Sequence, residues 1–129
     1  MPAPTIHKAT AFEDSGVSLM ARILGTASTA IAQADISTIT YGVKATHGGS
    51  TATIAFGTSL STTEVVFDTL QTDARWTRDT TGYNFRVDVP SSALPDGNKK
   101  YRAEVKFTPA SGQPFHAAWD IETVDLLGS

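Results

Sequence analysis

A chain of 129 residues fits one domain, long enough to bury roughly two-thirds of the surface its unfolded form exposes. Its charged fraction is 18%, its formal net charge is -3, and its ten Lys and Arg are scattered without a run, so no basic stripe is present to neutralise a phosphate backbone. The absence of cysteine excludes disulfides, Cys-ligated zinc, iron–sulfur clusters and thiol nucleophiles, and leaves stability to packing.

Residues 1–14 carry Pro2, Pro4 and isolated apolar side chains at Ile6 and Phe12 without a sustained period. They read as an extended N-terminal arm ahead of a domain over 15–129. Such an arm is either a frayed terminus or, in an assembling protein, a segment that lies across a neighbour and buries Ile6 and Phe12. The stretch has no long apolar core of the kind that marks a signal peptide. No run in the chain approaches the roughly 20 apolar residues of a membrane span. The expectation is a soluble protein that is not exported by a cleaved signal.

From Val17 to Leu24, the residues Val17, Leu19, Ala21 and Ile23 alternate with Ser18, Met20, Arg22 and Leu24, which predicts the first long strand, ended by Gly25. A small-residue segment follows, with Asp35 and Ser37 available for side-chain bonds in a turn. ISTITYGVKA is the next strand, with Ile39, Tyr41 and Val43 on one face, and His47, Gly48 and Gly49 mark a loop. Ala52, Ile54 and Phe56 share one side of another strand. Ser61-Thr62-Thr63-Glu64 fits a capping box, and Val66, Phe67, Leu70 and Ala74 fall at helical spacing. A short helix over about 62–71 is therefore preferred, with a β-branched strand at EVVF as the alternative.

Asp79 to Gly82 form a turn before a strand carrying Phe85, Val87 and Val89, which Pro90 stops by removing a donor. Ser91 to Leu94 suit a single helical turn and Pro95-Asp96-Gly97-Asn98 a tight turn. The strongest local signal is a hairpin over Tyr101 to Ile121. In its first arm Tyr101, Ala103, Val105 and Phe107 alternate with Arg102, Glu104, Lys106 and Thr108, and in its second Phe115, Ala117, Trp119 and Ile121 form the apolar row. Gly112 supplies the positive φ that closes it. About seven short strands at spacings near ten residues predict an all-β fold, a two-sheet sandwich of immunoglobulin-like type, with a small barrel as the alternative. The Cys and Trp spacing of antibody domains is absent.

A search for chemistry finds little. His7, His47 and His116 sit in no catalytic motif, and GxSxG, HExxH, Walker and GxGxxG patterns are missing. Asp68, Asp73, Asp79, Asp88 and Asp120 lie beside turns or on polar strand faces, where Asp caps and solvates, rather than as a facing pair suited to glycoside hydrolysis. Asp79-Thr80-Thr81-Gly82 and Asp96-Gly97-Asn98 are too sparse for a calcium loop. No metal and no cofactor is expected. Trp119 shares the apolar face of the hairpin and belongs to the core. Trp76 and Tyr83 flank a turn in a polar context and are, with Ile6 and Phe12, the candidate contact residues, although packing over the end of the sandwich would also explain them.

The segments FDTLQTDARWTRDTTGYNFRVDVP and YRAEVKFTPASGQPFHAAWDIETV, preceded by ADISTITYGV, resemble a recurring pattern in small proteins of tailed bacteriophages and prophage-like regions. The pattern, over roughly residues 17–124, is also loosely similar to the immunoglobulin-like N-terminal domain of phage baseplate upper proteins. The resemblance implies a non-enzymatic virion component, decorating the head or placed in the neck or tail. Its partners would be other virion proteins in a multicopy assembly, with no nucleic acid, membrane or small-molecule substrate involved. It carries no catalytic residue to transfer. With the sequence ending at Ser129, no receptor-binding or coiled-coil extension is expected, an expectation that favours a small accessory part over a receptor-binding fibre. A free-standing adhesin or carbohydrate-binding module using Trp76 and Tyr83 is the alternative.

Overall fold

The computed structural model describes residues 6–24, 30–46, 52–72, 76 and 80–127. Among them are eight strands: β1 (Ile6–Phe12), β2 (Val17–Ala21), β3 (Ile36–Ala45), β4 (Ala52–Leu60), β5 (Val66–Gln71), β6 (Tyr83–Val89), β7 (Lys100–Pro109) and β8 (Phe115–Val124). They form a five-stranded sheet in the order β1-β8-β7-β3-β4 and a three-stranded sheet in the order β2-β6-β5.

The hairpin is built as its alternation predicts. Tyr101 pairs with Ile121, Ala103 with Trp119, Val105 with Ala117 and Phe107 with Phe115, so both apolar rows fall on one face. The turn between them places Gly112 at φ 105°, a conformation that a side chain disfavours. Opposite, Leu19 and Ala21 of β2 pair with Val87 and Phe85 of β6. The two apolar faces meet: Phe85 stacks on Trp119 with centroids 5.8 Å apart and meets Phe107 edge-on at 5.3 Å. Trp119, Phe85, Phe107, Tyr101, Leu19 and Ile39 are all buried in this core.

The connectivity identifies the architecture. Lettered in chain order from β1, the small sheet is B-E-D and the large one G-F-C-C′, the strand sets of an immunoglobulin sandwich with one variable-type addition. The first strand joins the large sheet, parallel to β8, rather than the small one. Tyr101 begins strand F, and its hydroxyl oxygen accepts the backbone N–H of Asp96 at 3.1 Å, the arrangement known as a tyrosine corner. Ala103, two residues later and fully buried, stands where such domains carry their second cysteine. The fold is thus an immunoglobulin-like β-sandwich whose centre is packed rather than cross-linked.

Two expectations change. The helix preferred over 62–71 is confined to α1 (Thr62–Val65), and Val66 to Gln71 is strand β5. Val66 pairs with Phe85, and the β-branched pair Val65-Val66 gains more from burial against β6 than the six further helical residues to Gln71 would supply. Ser61 does stand at the N-cap, but its hydroxyl approaches that of Thr63 at 3.1 Å and makes no bond to the helix backbone. The second change concerns the stretch set apart as an arm. Residues 6–12 are extended, yet they lie in register along β8 from Ile6 opposite Ala118 to Phe12 opposite Val124, inside the sheet rather than ahead of it.

Candidate interaction surface

Strand alternation divides β1 cleanly. His7, Ala9 and Ala11 turn towards the core, where the His7 ring lies 5.2 Å from that of Trp119, and Ile6, Lys8, Thr10 and Phe12 face outward. Ile6 is 47% and Phe12 54% exposed. Phe12 stands beside Val124, and Leu126 and Leu127 follow on the same end of the strand, all exposed. Sequence reading missed this terminal apolar cluster. Its signal was present in VDLL, but only the parallel register brings Val124 beside Phe12.

Between Ile6 and Phe12 the outer face is charged. Arg102 Nε donates to Asp120 Oδ1 at 2.6 Å, Lys8 Nζ lies 3.4 Å from Asp120 Oδ2, and Arg102 also lies 3.6 Å from Glu104. The hydrogen bond from Arg102 holds the Asp120 carboxyl below the usual carboxylate range, with the charges of Arg102 and Lys8 acting in the same sense against partial desolvation. Lys8, the charged residue of β1, is therefore occupied within its own sheet.

The other two candidate contact residues go inside. Trp76 is 8% and Tyr83 2% exposed. Tyr83 opens β6 on the same row as Phe85 and Val87, so the alternation of that strand carries it into the interior. Its ring packs 5.6 Å from Trp76 and edge-on to Phe67 at 5.8 Å. The two aromatics close the end of the sandwich, which leaves Ile6 and Phe12 as the exposed members of the original set.

Groups with chemical potential are dispersed. His7 is turned inward, and His116 pairs across the hairpin with Lys106 on the outer face. Asp68 accepts the backbone N–H of Gln33 at 2.7 Å, and Asp88 accepts the Ser18 hydroxyl at 2.6 Å. Both serve local structure. His47, Asp73 and Asp79 lie outside the described residues. Among the described residues no three His, Asp or Glu side chains gather into a set that would hold a metal ion, and no helix is long and apolar enough to cross a membrane.

No protein-family model matches the chain, and no curated protein matches it in sequence. Among solved structures, a similar one is the extracellular domain of the voltage-gated sodium channel beta4 subunit, described as a parallel homodimer with a role in cell–cell adhesion. The identity is 10%, the alignment covers 98% of each chain, and the TM-score is 0.42. At that level the likeness adds nothing to the topology read from the strands themselves.

Proposed function

We propose that this chain is a non-enzymatic structural component of a tailed-phage virion, a head-decoration, neck or tail accessory domain that works through protein–protein contacts. The observation that carries the contact-making part is the pair Ile6 and Phe12, both about half exposed on the outer row of a strand at the edge of its sheet. Such an edge offers main-chain groups and apolar anchors together. The virion setting rests on the sequence resemblance alone. Multiple copies would raise the avidity of contacts that are individually weak.

The carbohydrate-binding alternative loses its platform, because a sugar stacks on an exposed ring face and Trp76 and Tyr83 are buried against each other. Mass spectrometry of purified particles tests the proposal. The polypeptide is expected among the virion proteins at a copy number matching a head, neck or tail symmetry, and its absence from particles that carry the other structural proteins would sink the reading.

A further inference from the structure

We infer that β1 is a self-complementary edge through which two copies of this domain join their five-stranded sheets into one continuous sheet of antiparallel β1 strands. This deepens the reading of the chain as a contact-making domain by naming the first partner as a second copy.

Glu13, directly after β1, donates its backbone N–H to the carbonyl of Val124 at 3.0 Å, and β1 lies parallel to β8 with Ala11 opposite Thr123. In a parallel ladder, alternate residues of one strand bond the other. His7, Ala9, Ala11 and Glu13 thus direct their main-chain groups to β8, and Ile6, Lys8, Thr10 and Phe12 direct theirs away from the sheet. Among the described residues no strand takes up that outer edge.

Of the other three sheet edges, β2 is regular but only five residues long and none of them is exposed, and β4 and β5 are irregular. Strand β4 carries Gly57 at φ 99° and its pairing with β3 shifts register twice, and β5 pairs irregularly with β6. Bulges of that kind twist an edge away from a partner. Strand β1 is regular over all seven residues and holds neither Pro nor Gly. Its single cation, Lys8, which would otherwise repel a second copy, lies against Asp120.

The sequence of the strand selects the register. Antiparallel pairing about a two-fold axis must set outward-directed residues opposite one another. Centring it on Lys8 would oppose two ammonium groups, and centring it on Thr10 would leave Ile6 without a counterpart. Centring it on Ala9 pairs Ile6 with Phe12 and Lys8 with Thr10 in both directions, so all four outward residues exchange bonds, about eight in total. The contact is isologous, as a closed dimer requires. It also covers Ile6 and Phe12 with each other, an aliphatic–aromatic cross-strand pair on each side of the axis.

In this register the two Ala9 residues face each other as a non-hydrogen-bonded pair with Cα atoms about 4.5 Å apart. That lies within the span a disulfide bridges, and the chain has no other cysteine to compete. Purified Ala9→Cys protein, oxidised without denaturant, is expected to become mainly a disulfide-linked dimer, with Thr10→Cys lagging well behind. The double variant Ile6→Lys with Phe12→Lys, its fold verified by circular dichroism, should be monomeric by analytical ultracentrifugation. Ile6→Lys with Phe12→Glu should remain dimeric, because each new cation then opposes an anion. A wild-type chain that stays monomeric at high concentration, equal cross-linking at positions 9 and 10, or two double variants that behave alike would overturn the inference. None of these outcomes depends on whether the chain is found in particles, so the two readings fail separately.

Discussion

The hydroxyl of Tyr101 accepts the backbone N–H of Asp96 across 3.1 Å, and the carbonyl of the same Asp96 accepts the hydroxyl of Thr123 at 2.6 Å. One turn residue is thereby held by the first residues of β7 and the last of β8. Thr123 also accepts the backbone N–H of Lys99 at 3.1 Å, so the crossing that delivers the chain into the hairpin is fixed from both arms.

Tyr101→Phe removes the acceptor and leaves the Asp96 amide without it. We expect a loss of about 1–2 kcal/mol, read from the urea midpoint at unchanged slope. Thr123→Val should cost a similar amount, and the double variant less than the sum, because both act on the same turn.

Burial raises the hydroxyl pKa of Tyr101, and of Tyr41, above the usual phenolic value of 10.0. The folded state therefore keeps these protons when the unfolded chain has lost them. Stability is fully present below pH 10 and falls as pH rises through the folded values. Ultraviolet titration should show the two phenols ionising later than a free tyrosine, and Tyr41→Phe should flatten the alkaline loss of stability.

Asp120 titrates in the opposite sense. Its depressed pKa means that the stability from Arg102 and Lys8 is present above the ordinary carboxylate range and is lost as pH falls through the folded value. Because the Asp120 and Arg102 side chains are about one-third exposed, Asp120→Asn should cost less than about 1 kcal/mol and the cost should shrink in high salt. Equal stability of Asp120→Asn and wild type at low salt and neutral pH would show that the pair contributes nothing.

Asn84 is a buried amide whose Oδ1 accepts the Ile23 N–H at 2.7 Å and whose Nδ2 donates to the carbonyls of Ile23 and Ile31 at 3.0 and 3.2 Å. It ties both ends of the excursion after β2 to β6. Asn84→Leu takes their Asn84 partner from the Ile23 N–H and the Ile31 carbonyl, while the Ile23 carbonyl keeps the N–H of Ile31 at 3.1 Å. A loss of about 2–4 kcal/mol is expected, with hydrogen exchange accelerated first at Ile23 and Ile31.

Trp119→Ala should be the most damaging single truncation, about 3–5 kcal/mol, since the ring contacts Phe85 from the opposite sheet and His7 from β1. Thermal melts would show it, and a variant that kept its stability while losing only self-association would contradict the assignment of Trp119 to the core.

The sequence by itself determined which face of β2, β3, β6 and the two hairpin strands is apolar, because side-chain alternation is a local property of extended backbone: β3 runs over Ile36–Ala45, as ISTITYGVKA indicates, and the rows of the hairpin pair as they read. In β4 the expected apolar row of Ala52, Ile54 and Phe56 leaves Phe56 exposed. The tyrosine corner was not read from the sequence, because Ala103 replaces the cysteine that would mark it, and only the bond from the Asp96 N–H to the Tyr101 hydroxyl shows it. Tertiary structure decided what lies beside what. Val66 to Gln71 became a strand because β6 was there to pair with it, against a local pattern that also suited a helix. Trp76 and Tyr83 were drawn inside by a contact between segments whose flanking residues are polar. Residues 6–12 lack the hydrophobic period that marks a buried strand, since an edge strand held mainly by main-chain bonds needs few buried side chains. For that same reason its outer row was left exposed, and the open edge could be located only once β8 had taken the inner one.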